Sequence, residues 1–429
     1  MKLTREENDL LCRVEGEAPM GGIMRSHWLP VCLSEEVAEA DGAPVRSRLL
    51  GEDLVVFKNT KNEIGVLGEF CLHRRASLVF GRNEECGLRC LYHGWKFDVD
   101  GNVVDMPSEA PGAAQRLGKK TRSYPAREGG GFVWAWMGPR EKMREFEPPA
   151  WAPVPGIKYA IVKMHAACNW AQVLEGSIDS AHSSSLHSTN MPAGEVEGST
   201  ATGTAWVRPS TDKAPRMLFE PTSYGFRYAA IRKPIKNADS HQYVRTTLFL
   251  APYTVLIPPN DQYKLSQMLV PIDDVNTMFY WVAWHPDPKK GISQADWRKF
   301  CAAEVGIDLD SSYRKKRNSD NGYLQDREAM KRGDFTGITG IPTQDMAMWE
   351  SMGPITDRAE DNPGASDLAV AQFRRMMVAA AKKFRDGGAA IGAEKEMPYA
   401  SLASFEGVTP KSVDWRTLGV RQGEEVTAK

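Results

Sequence analysis

Four candidate metal ligands constrain this chain more than any other feature of its sequence. Cys71 and His73 stand one residue apart, and after an interval of sixteen residues Cys90 and His93 stand two residues apart. Each pair is short enough to lie in a single tight loop. Two such loops would each present one thiolate and one imidazole, so this stretch is predicted to hold a metal ion or cluster between them.

The mixing of cysteine and histidine within each pair favours an iron–sulfur cluster. A [2Fe–2S] centre of the Rieske kind takes two thiolates at one iron and two imidazoles at the other. Structural zinc, the alternative, more often takes Cys–Cys and His–His pairs. Gly94 follows the second pair and permits a tight turn, while Trp95 and Phe97 can shield a cluster. We therefore predict a [2Fe–2S] cluster bound by the four residues of these pairs.

Short apolar runs separated by Gly, Asn and Asp turns fill residues 45–140. Runs that are this short and this often interrupted are typical of an antiparallel β domain. Asp100-Gly101 is a hairpin signal within it. Strands are expected at 54–58, 64–68, 88–91, 95–98, 102–105 and 132–136.

A second and larger antiparallel sheet is predicted in the later part of the chain. A helix predicted over 366–384 has apolar residues at helical spacing and is expected to cover this sheet. Near the amino terminus, Thr4 is expected to cap a helix over 5–13. The fold class is therefore α+β. Strands of the larger sheet are expected at 205–208, 224–233, 243–250, 254–257, 264–270 and 277–284.

Prolines mark the boundary between these two regions. A length of 429 residues suits one small and one large domain. The expected organisation is an N-terminal helical segment (1–45), a small β domain carrying the cluster (46–147) and a larger domain with C-terminal helices (148–429). The connector is dense in proline and contains Pro148, Pro149, Pro153 and Pro155.

Composition excludes several classes of function. The 54 basic and 55 acidic residues give a formal net charge of −1, which argues against a nucleic-acid binder. The cysteines outside the two pairs have no ligand spacing and are expected to be free thiols of a reducing compartment. No apolar run suits a signal peptide or a membrane span, so a cytoplasmic protein is expected. No G-X-G-X-X-G unit follows a strand, so electrons must come from another protein.

Two histidines five residues apart form a second candidate metal site. Asp179 and His182 would lie on one face of a helix predicted within 169–187. Five residues carry a straight helix well round its axis, so His182 and His187 can reach one ion only if the helix ends or distorts between them. The three serines after His182 have poor helix propensity, which agrees with such a break.

Two histidines and one carboxylate make the facial triad of non-haem Fe(II) oxygenases, which leaves coordination positions open for oxygen. The missing carboxylate must lie farther along the chain. A purely structural role for the two histidines is the alternative.

Together, these patterns resemble the alpha (oxygenase) subunits of the Rieske non-haem iron aromatic-ring-hydroxylating oxygenases, closest to the phthalate 4,5-dioxygenase group. The likeness extends from Met20 to about Lys383 and includes the run Arg25-Ser-His-Trp-Leu-Pro and the run Gln344-Asp-Met-Ala-Met-Trp-Glu-Ser-Met-Gly-Pro. It implies a Rieske domain followed by a catalytic domain whose antiparallel sheet is covered by helices, a helix-grip (START-like) fold.

The resemblance also assigns roles to residues. It implies that Asp345 completes the mononuclear iron site with His182 and His187, with Glu350 as a weaker competitor. It implies that Asp179 bridges this site to the cluster ligand His93 of a neighbouring subunit, in a cyclic trimer or stacked trimers. The electrons would come from a flavin and iron–sulfur reductase that oxidises NAD(P)H.

The implied activity is cis-dihydroxylation of an aromatic carboxylate with dioxygen, with phthalate as the first candidate substrate. Isophthalate, terephthalate or chlorobenzoate are alternatives, as is monooxygenation or O-demethylation of an aromatic acid. A Rieske electron carrier without catalysis is the alternative from another class. Such a carrier needs only about the first 140 residues, so the second candidate metal site argues against it.

An aromatic dicarboxylate needs cationic partners in an apolar pocket, and arginine matches a carboxylate with two parallel hydrogen bonds. Arg208 and Arg245 lie on strands of the predicted larger sheet beside apolar residues, and they are the predicted substrate ligands. Arg227 and Arg232 stand five apart on another predicted strand and so point to opposite faces. At most one of that second pair can also point inward.

Overall fold

The computed structural model describes residues 2–147, 149, 157–195, 201–202, 205–258, 263–285, 287, 289–393, 399 and 402–419. The chain divides into two compact units, one comprising Val14–Pro148 and the other comprising Met1–Arg13 with Pro149–Lys429. The second division falls at the proline-dense connector, of which Pro148, Pro153 and Pro155 lie outside the described residues. The first falls inside the segment 1–45.

The unit Val14–Pro148 contains three small antiparallel sheets in its described part. The strands are β1 (Trp28–Leu33), β2 (Val45–Leu49), β3 (Glu52–Lys58), β4 (Ile64–Gly68), β5 (Arg82–Glu84), β6 (Gly87–Arg89), β7 (Lys96–Phe97), β8 (Val103–Asp105), β9 (Ser123–Tyr124), β10 (Ala126–Gly129) and β11 (Phe132–Trp136). Their orders in the three sheets are β1-β11-β10, β2-β3-β4-β9 and β5-β6-β7-β8. Two short helices, α2 (Pro19–Arg25) and α3 (Ala113–Leu117), accompany them, after α1 (Arg5–Cys12) of the other unit.

A buried cluster joins two of these sheets beneath the cysteine–histidine loops. Val55 and Phe57 on β3 and Leu67 on β4 pack with Leu88 on β6 and Phe97 on β7, all without exposed surface. Cys71 and Cys90 belong to the same cluster. The apolar alternation of the strands therefore fixes the base from which both loops project.

The other unit is built on one large antiparallel sheet. Its strands are β12 (Lys158–Ala166), β15 (Arg216–Thr222), β16 (Gly225–Arg232), β17 (His241–Leu250), β18 (Thr254–Ile257), β19 (Lys264–Pro271), β20 (Thr277–His285) and β21 (Phe405–Pro410); a separate pair comprises β13 (Ala201–Thr202) and β14 (Ala205–Trp206). In the described part of this sheet the strand order is β12-β20-β19-β18-β17-β16-β15, and β21 pairs with the free half of β17.

Helices cover this sheet. Phe373 of the long C-terminal helix packs edge-on against Phe249 of β17 at 5.3 Å and against Trp170 at 5.9 Å between ring centroids. The amino-terminal helix begins as expected, because Thr4 and Glu7 form a reciprocal capping box. The helices after α3 are α4 (Trp170–Ser177), α5 (Gln294–Phe300), α6 (Arg327–Lys331), α7 (Ile341–Ser351) and α8 (Leu368–Arg385). In the part of the chain that the structure describes, no helix is both long and apolar enough to cross a membrane.

The predicted fold class is confirmed, and most strand predictions are close. The strand at 254–257 has the predicted ends, and the helix predicted over 366–384 is α8. Three strands of the larger sheet, β12, β15 and β21, were not predicted. The helix predicted within 169–187 is shorter than expected, since α4 ends at Ser177 and only a single 3-10 turn, His182–Ser184, follows.

Candidate metal centres and cavity

The two cysteine–histidine loops have the same backbone geometry. In each, the nitrogen of the residue four positions after the cysteine donates to the cysteine carbonyl at 3.0 Å, from Arg75 to Cys71 and from Gly94 to Cys90. Both of those donors have positive φ, at 63° and 75°. Glycine adopts this conformation without strain and arginine does not. Two equivalent turns thus place the two cysteines alike.

The candidate ligands of the first centre meet at the tips of these loops. Cys71 and Cys90 are each only 2% exposed. Burial raises the pKa of the Cys71 thiol to about 11, and the neighbouring Cys90 adds to the rise. The rings of His73 and His93 lie 4.3 Å apart between centroids. The structure therefore brings the two thiols and the two imidazoles together as two pairs.

Two observations agree with a cluster at this position. Trp95 stacks on His73 at 4.8 Å with an interplanar angle of 5°, so the indole shields one face of the imidazole. The Nδ1 atom of His73 is buried, and no hydrogen-bond partner for it lies in the described ranges. A buried ring nitrogen without a hydrogen-bond partner destabilises the folded protein unless a metal ion or another group contacts it. Two thiols and two imidazoles are also the donor set of a Rieske cluster.

The second candidate centre lies in the larger unit, just beyond α4. Asn169 caps this helix by accepting from the nitrogen of Ala171, and the helix ends at Ser177. The expectation that Asp179 and His182 share a face of one continuous helix is therefore wrong. The chain leaves the helix before Asp179, and the Asp179 side chain closes a turn by accepting from the nitrogen of Ala181 at 2.7 Å.

His182, His187 and Asp345 converge, with potential ligand atoms all within 4.8 Å of one another. The Nε2 atoms of His187 and His182 lie 3.0 and 3.5 Å from Oδ1 of Asp345. That oxygen is buried and accepts no hydrogen bond from the residues described. Ligands about 2.1 Å from one metal ion at right angles are about 3 Å apart. A shared divalent cation thus accounts for the positions of these three atoms better than direct hydrogen bonds among the side chains do.

Outer partners hold both imidazoles with Nε2 turned toward Asp345. Nδ1 of His182 faces Oδ2 of Asp179 at 3.4 Å, and Nδ1 of His187 donates to Oε1 of Gln344 at 2.8 Å. Gln344 was not predicted as a site residue, although it stands directly before Asp345. Its own amide nitrogen donates to Asn190 and to a backbone carbonyl, which fixes the orientation of the amide. Such partners set the tautomer and direction of ligating histidines.

The Asp179–His182 contact also biases protonation. Burial alone favours the neutral form of each group, but their mutual hydrogen bond and charge lower the pKa of Asp179 and raise the pKa of His182. Asp179 is therefore held as a carboxylate beside the imidazole.

A buried ion-pair network fixes the direction of α4. Glu175, in the last turn of the helix, accepts from Nε of Arg358 at 2.7 Å and from Nε of Arg374 at 2.8 Å. Burial opposes the charge of Glu175, but the two arginines lower the pKa of Glu175. Because Arg374 lies on α8, the network ties α4 to the C-terminal helix.

Glu350, the competing third ligand, is engaged elsewhere. Its carboxylate lies 2.7 Å from Nζ of Lys315 and accepts from the hydroxyl of Tyr323 at 2.5 Å. Asp345 lies earlier on α7 and faces the two histidines instead. The helix thus presents only Asp345 to the metal site.

A cavity of about 560 Å³, including its open mouth, adjoins the three candidate ligands. Aromatic and aliphatic side chains supply part of its wall, and serine, threonine, glutamine, arginine and acidic side chains supply the rest. Its lining includes Tyr228, Trp206, Trp281, Trp349, Ile257 and Met191, together with Asp179, His182, His187 and Asp345.

The two predicted substrate arginines occupy different positions. Arg245 lines the cavity and is 8% exposed. Glu406 of β21 lies 3.5 Å from its Nε. Burial opposes the positive charge of Arg245, but Glu406 raises the pKa of Arg245.

Arg208 is 4% exposed and lies behind the cavity wall, where its Nη2 donates to the carbonyl and hydroxyl oxygens of Ser183 at 2.9 and 3.1 Å. Burial and the nearby Arg245 lower the pKa of Arg208 to about 10. Arg232 is buried on the inward face of β16, whereas Arg227 is half-buried and pairs with Glu220. Three buried arginines therefore stand around one side of the site.

A neutral polar pair lines another part of the cavity. Gln267 on β19 and Trp281 on β20 are direct cross-strand neighbours. Trp281 Nε1 and Gln267 Oε1 are buried without a hydrogen-bond partner among the described residues. By contrast, the indole of Trp206 in the same wall donates to the hydroxyl of Tyr263 at 3.2 Å. A bound molecule or water is the usual partner for such buried atoms.

Comparisons with known proteins agree with both centres. A family model described as Rieske [2Fe-2S] domain matches residues 27–125, and a model described as LigXa C-terminal domain like matches residues 135–429. The first match contains the four cysteine and histidine candidates, and the second contains His182, His187 and Asp345. The two family matches thus cover most of the chain.

Curated relatives match nearly the full length. The chain is 58% identical over 420 residues to the phthalate 4,5-dioxygenase oxygenase subunit of Pseudomonas putida, covering 98% of this chain and 95% of that protein. It is 36% identical to the 3-chlorobenzoate-3,4-dioxygenase oxygenase subunit of Comamonas testosteroni, covering 97% and 98%. Among solved structures, Pseudomonas putida CBB5 NdmA QL mutant with caffeine matches with a TM-score of 0.59 at 19% identity, covering 86% of this chain and 95% of that chain. At that identity the structural match supports the fold alone.

Proposed function

The chain belongs to the oxygenase subunits of the Rieske non-haem iron family, and on that premise we propose that it cis-dihydroxylates phthalate at positions 4 and 5. The single observation that carries the proposal is the cavity that opens directly onto His182, His187 and Asp345 while Arg245 stands in its wall. Candidate metal ligands and a candidate carboxylate partner thus line the same cavity.

Each centre has its own set of proposed ligands. Cys71, His73, Cys90 and His93 would hold the [2Fe–2S] cluster, and His182, His187 and Asp345 would hold Fe(II). The cluster supplies single electrons and the ferrous iron supplies dioxygen activation when they are bound. The protein's part is to keep both histidines of the triad in one tautomer through Asp179 and Gln344. It also encloses the aromatic ring between indole and tyrosine side chains, away from water.

Asp179 has a second proposed role between subunits. Its Oδ1 accepts from the nitrogen of Ala181, and its Oδ2 faces His182. A carboxylate has about four acceptor positions, so capacity remains for another donor. We propose that the partner subunit's His93 supplies it, in a cyclic trimer or in stacked trimers. Asp179 would then join the two metal centres through two imidazoles.

The charges around the cavity support a dianionic substrate. Arg208, Arg232 and Arg245 are all less than one-tenth exposed. Glu406 is the carboxylate that pairs with this group among the described residues, through Arg245. Buried positive charge that exceeds buried negative charge is costly and favours an anionic ligand. We propose that Arg245 binds one carboxylate directly and that Arg208, across Ser183, assists the other.

The system needs a separate reductase, as an oxygenase subunit does. We propose that this partner carries flavin and an iron–sulfur centre and oxidises NAD(P)H. A fingerprint for nicotinamide binding is absent from the sequence of this chain.

Metal analysis and product analysis test the proposal together. Three irons and two acid-labile sulfides per chain are expected, with phthalate converted to the 4,5-cis-dihydrodiol when a reductase, NAD(P)H and dioxygen are supplied. Isophthalate, terephthalate, 3-chlorobenzoate and methoxybenzoates serve as the comparison panel. A preference for a methoxybenzoate with release of formaldehyde would replace the proposal with O-demethylation. Two irons per chain and no product would replace it with electron transfer alone.

A further inference from the structure

Arg232 is the last residue of β16, and only 1% of its surface is exposed. Its guanidinium group does not face a carboxylate: among the described residues, none lies within ion-pair distance. Instead, Nη2 donates to the carbonyl of Ser180 at 2.7 Å, and Nη1 approaches the hydroxyl of the same serine at 3.3 Å. Nη2 also approaches the hydroxyl of Ser184 at 3.4 Å.

The serines that Arg232 contacts lie on either side of a proposed iron ligand. Ser180 stands two residues before His182, and Ser184 stands two residues after it. The planar guanidinium therefore spans the backbone segment whose middle residue is the ligand. Its rigid fork can hold two acceptors at a fixed separation, which a single ammonium group cannot do.

This segment needs an external support. The helix before it ends at Ser177, and a single 3-10 turn, His182–Ser184, is the only regular structure around the ligand in the described part of the chain. Serine has a low helix propensity and competes for backbone hydrogen bonds. The carbonyl of Ser180 is buried with the turn and has two donors, Arg232 and the hydroxyl of Ser183. The segment is thus fixed from the sheet beneath it.

We infer that Arg232 is a positioning residue, which sets the direction of the His182 imidazole by holding the backbone from Ser180 to Ser184 against the sheet. The inference rests on the proposed iron site, because it assigns a function to the geometry of one ligand of that site. What Arg232 supplies is the shape of its fork, and not only its positive charge.

The matched substitutions separate shape from charge. Arg232→Lys keeps the charge and loses the fork, whereas Arg232→Gln loses the charge and keeps a short amide. Arg227→Lys is the control, since Arg227 lies on the same strand with its partner Glu220 and points to the opposite face. Mononuclear iron is removed from each protein, and Fe(II) is then titrated back without oxygen. The amount of Fe(II) bound is expressed relative to the Rieske absorption of the same protein. The Michaelis constant for phthalate and the product formed per dioxygen consumed are measured on the reloaded protein.

Both Arg232 variants are expected to bind Fe(II) more weakly, by up to the factor of about 10 to 100 that follows loss of a direct outer partner of a metal ligand. Their Rieske absorption is expected to change less than twofold, while product per dioxygen falls. The Michaelis constant for phthalate is expected to change less than twofold in Arg232→Lys, which keeps the buried positive charge, and to rise modestly in Arg232→Gln, which removes it. Arg227→Lys is expected to match the parent protein in every measurement. Hydrogen exchange in Arg232→Lys is expected to quicken only in the peptide that contains residues 180–184.

Three results would overturn the inference. If Arg232→Lys binds Fe(II) within twofold of the parent, charge alone is sufficient. If both variants keep normal iron binding but need far more phthalate, Arg232 is a substrate ligand. If the variants do not fold, or exchange quickens throughout 157–285, Arg232 is a general core residue. Failure of the parent protein itself to take up Fe(II) would instead refute the proposed function.

Discussion

The assignment of Arg245 to a substrate carboxylate leads to a sharp prediction for Arg245→Gln. The guanidinium is 8% exposed and lines the cavity, with Glu406 as its ion-pair partner at 3.5 Å. Its Nε lies nearest to Glu406 and makes no hydrogen bond within the described ranges. We expect the substitution to lower kcat/KM for phthalate while both metal centres remain filled.

The expected magnitude follows from the kind of ion pair that the substitution removes. A buried, charge-assisted pair between a guanidinium and a carboxylate contributes roughly 2–4 kcal/mol to binding in the transition state. That corresponds to a decrease of about thirty- to a thousandfold in kcat/KM. Benzoate carries only one carboxylate and is expected to be a poorer substrate of the parent protein. Arg245→Gln should therefore lower kcat/KM for benzoate by a smaller factor than it lowers kcat/KM for phthalate.

Glu406 affects how the kinetics of Arg245→Gln are interpreted, and a second substitution at Glu406 provides the control. Removing Arg245 strands the Glu406 carboxylate, whose side chain is only 7% exposed. An unpaired buried carboxylate would repel an anionic substrate and exaggerate the effect. Glu406 also accepts from the hydroxyl of Tyr243 at 2.5 Å. The double variant Arg245→Gln/Glu406→Gln removes both charges and keeps an acceptor for the tyrosine.

The assay is phthalate-dependent dioxygen uptake with the reductase in excess, together with quantification of the diol. If Arg245 binds the carboxylate directly, the double variant retains most of the decrease in kcat/KM seen in the single variant. Recovery of parent kinetics in the double variant would attribute the effect to Glu406. Changes below threefold in both Arg245→Gln and Arg208→Gln would refute the carboxylate assignment, and would indicate a neutral substrate.

Three further predictions concern the metal centres. His182→Ala, His187→Ala and Asp345→Ala should each empty the mononuclear site while keeping the Rieske absorption; full iron and activity in Asp345→Ala would exclude it as a ligand. Asp179→Asn should keep cluster absorption nearly unchanged and iron content close to the parent, yet abolish product, because a neutral amide cannot serve both imidazoles as a carboxylate does; parent turnover rates would exclude the bridging role. Gln344→Leu removes the partner of His187 and should weaken Fe(II) binding about 10- to 100-fold in an iron titration, whereas unchanged affinity would make Gln344 a packing residue only.

Local patterns were sufficient to predict most of the strands, and they indicated the four cysteine and histidine candidates and the two later histidines, whereas Asp345 was indicated only by the family resemblance. A short apolar run located β18 without error, and the spacing of the cysteine–histidine pairs indicated two tight loops. The sequence did not reveal β21, because it pairs with residues 241–246, more than 150 positions earlier in the chain. A pairing of that separation leaves no local signal in a short strand with glycine and proline.

The sequence also did not predict the residue at which α4 ends. Helix spacing continues past Ser177, and the serines after His182 were the expected break. The helix stops earlier because Asp179 closes a local turn with Ala181, and because Arg232 of the sheet holds the carbonyl of Ser180. Tertiary contacts override propensity of this size, which is below about 1 kcal/mol per residue.

The two triad histidines differ in the charge of their outer partners, and this difference bears on the substrate. Asp179 gives His182 an anionic partner, whereas Gln344 gives His187 a neutral one. With a divalent cation bound, the carboxylates of Asp345 and Asp179 together balance its charge. The metal site then has no net attraction for an anion, and a second outer carboxylate would have made it repulsive. Under the proposed function, recognition of a dicarboxylate therefore falls to the buried arginines, of which Arg245 lines the cavity among the described residues.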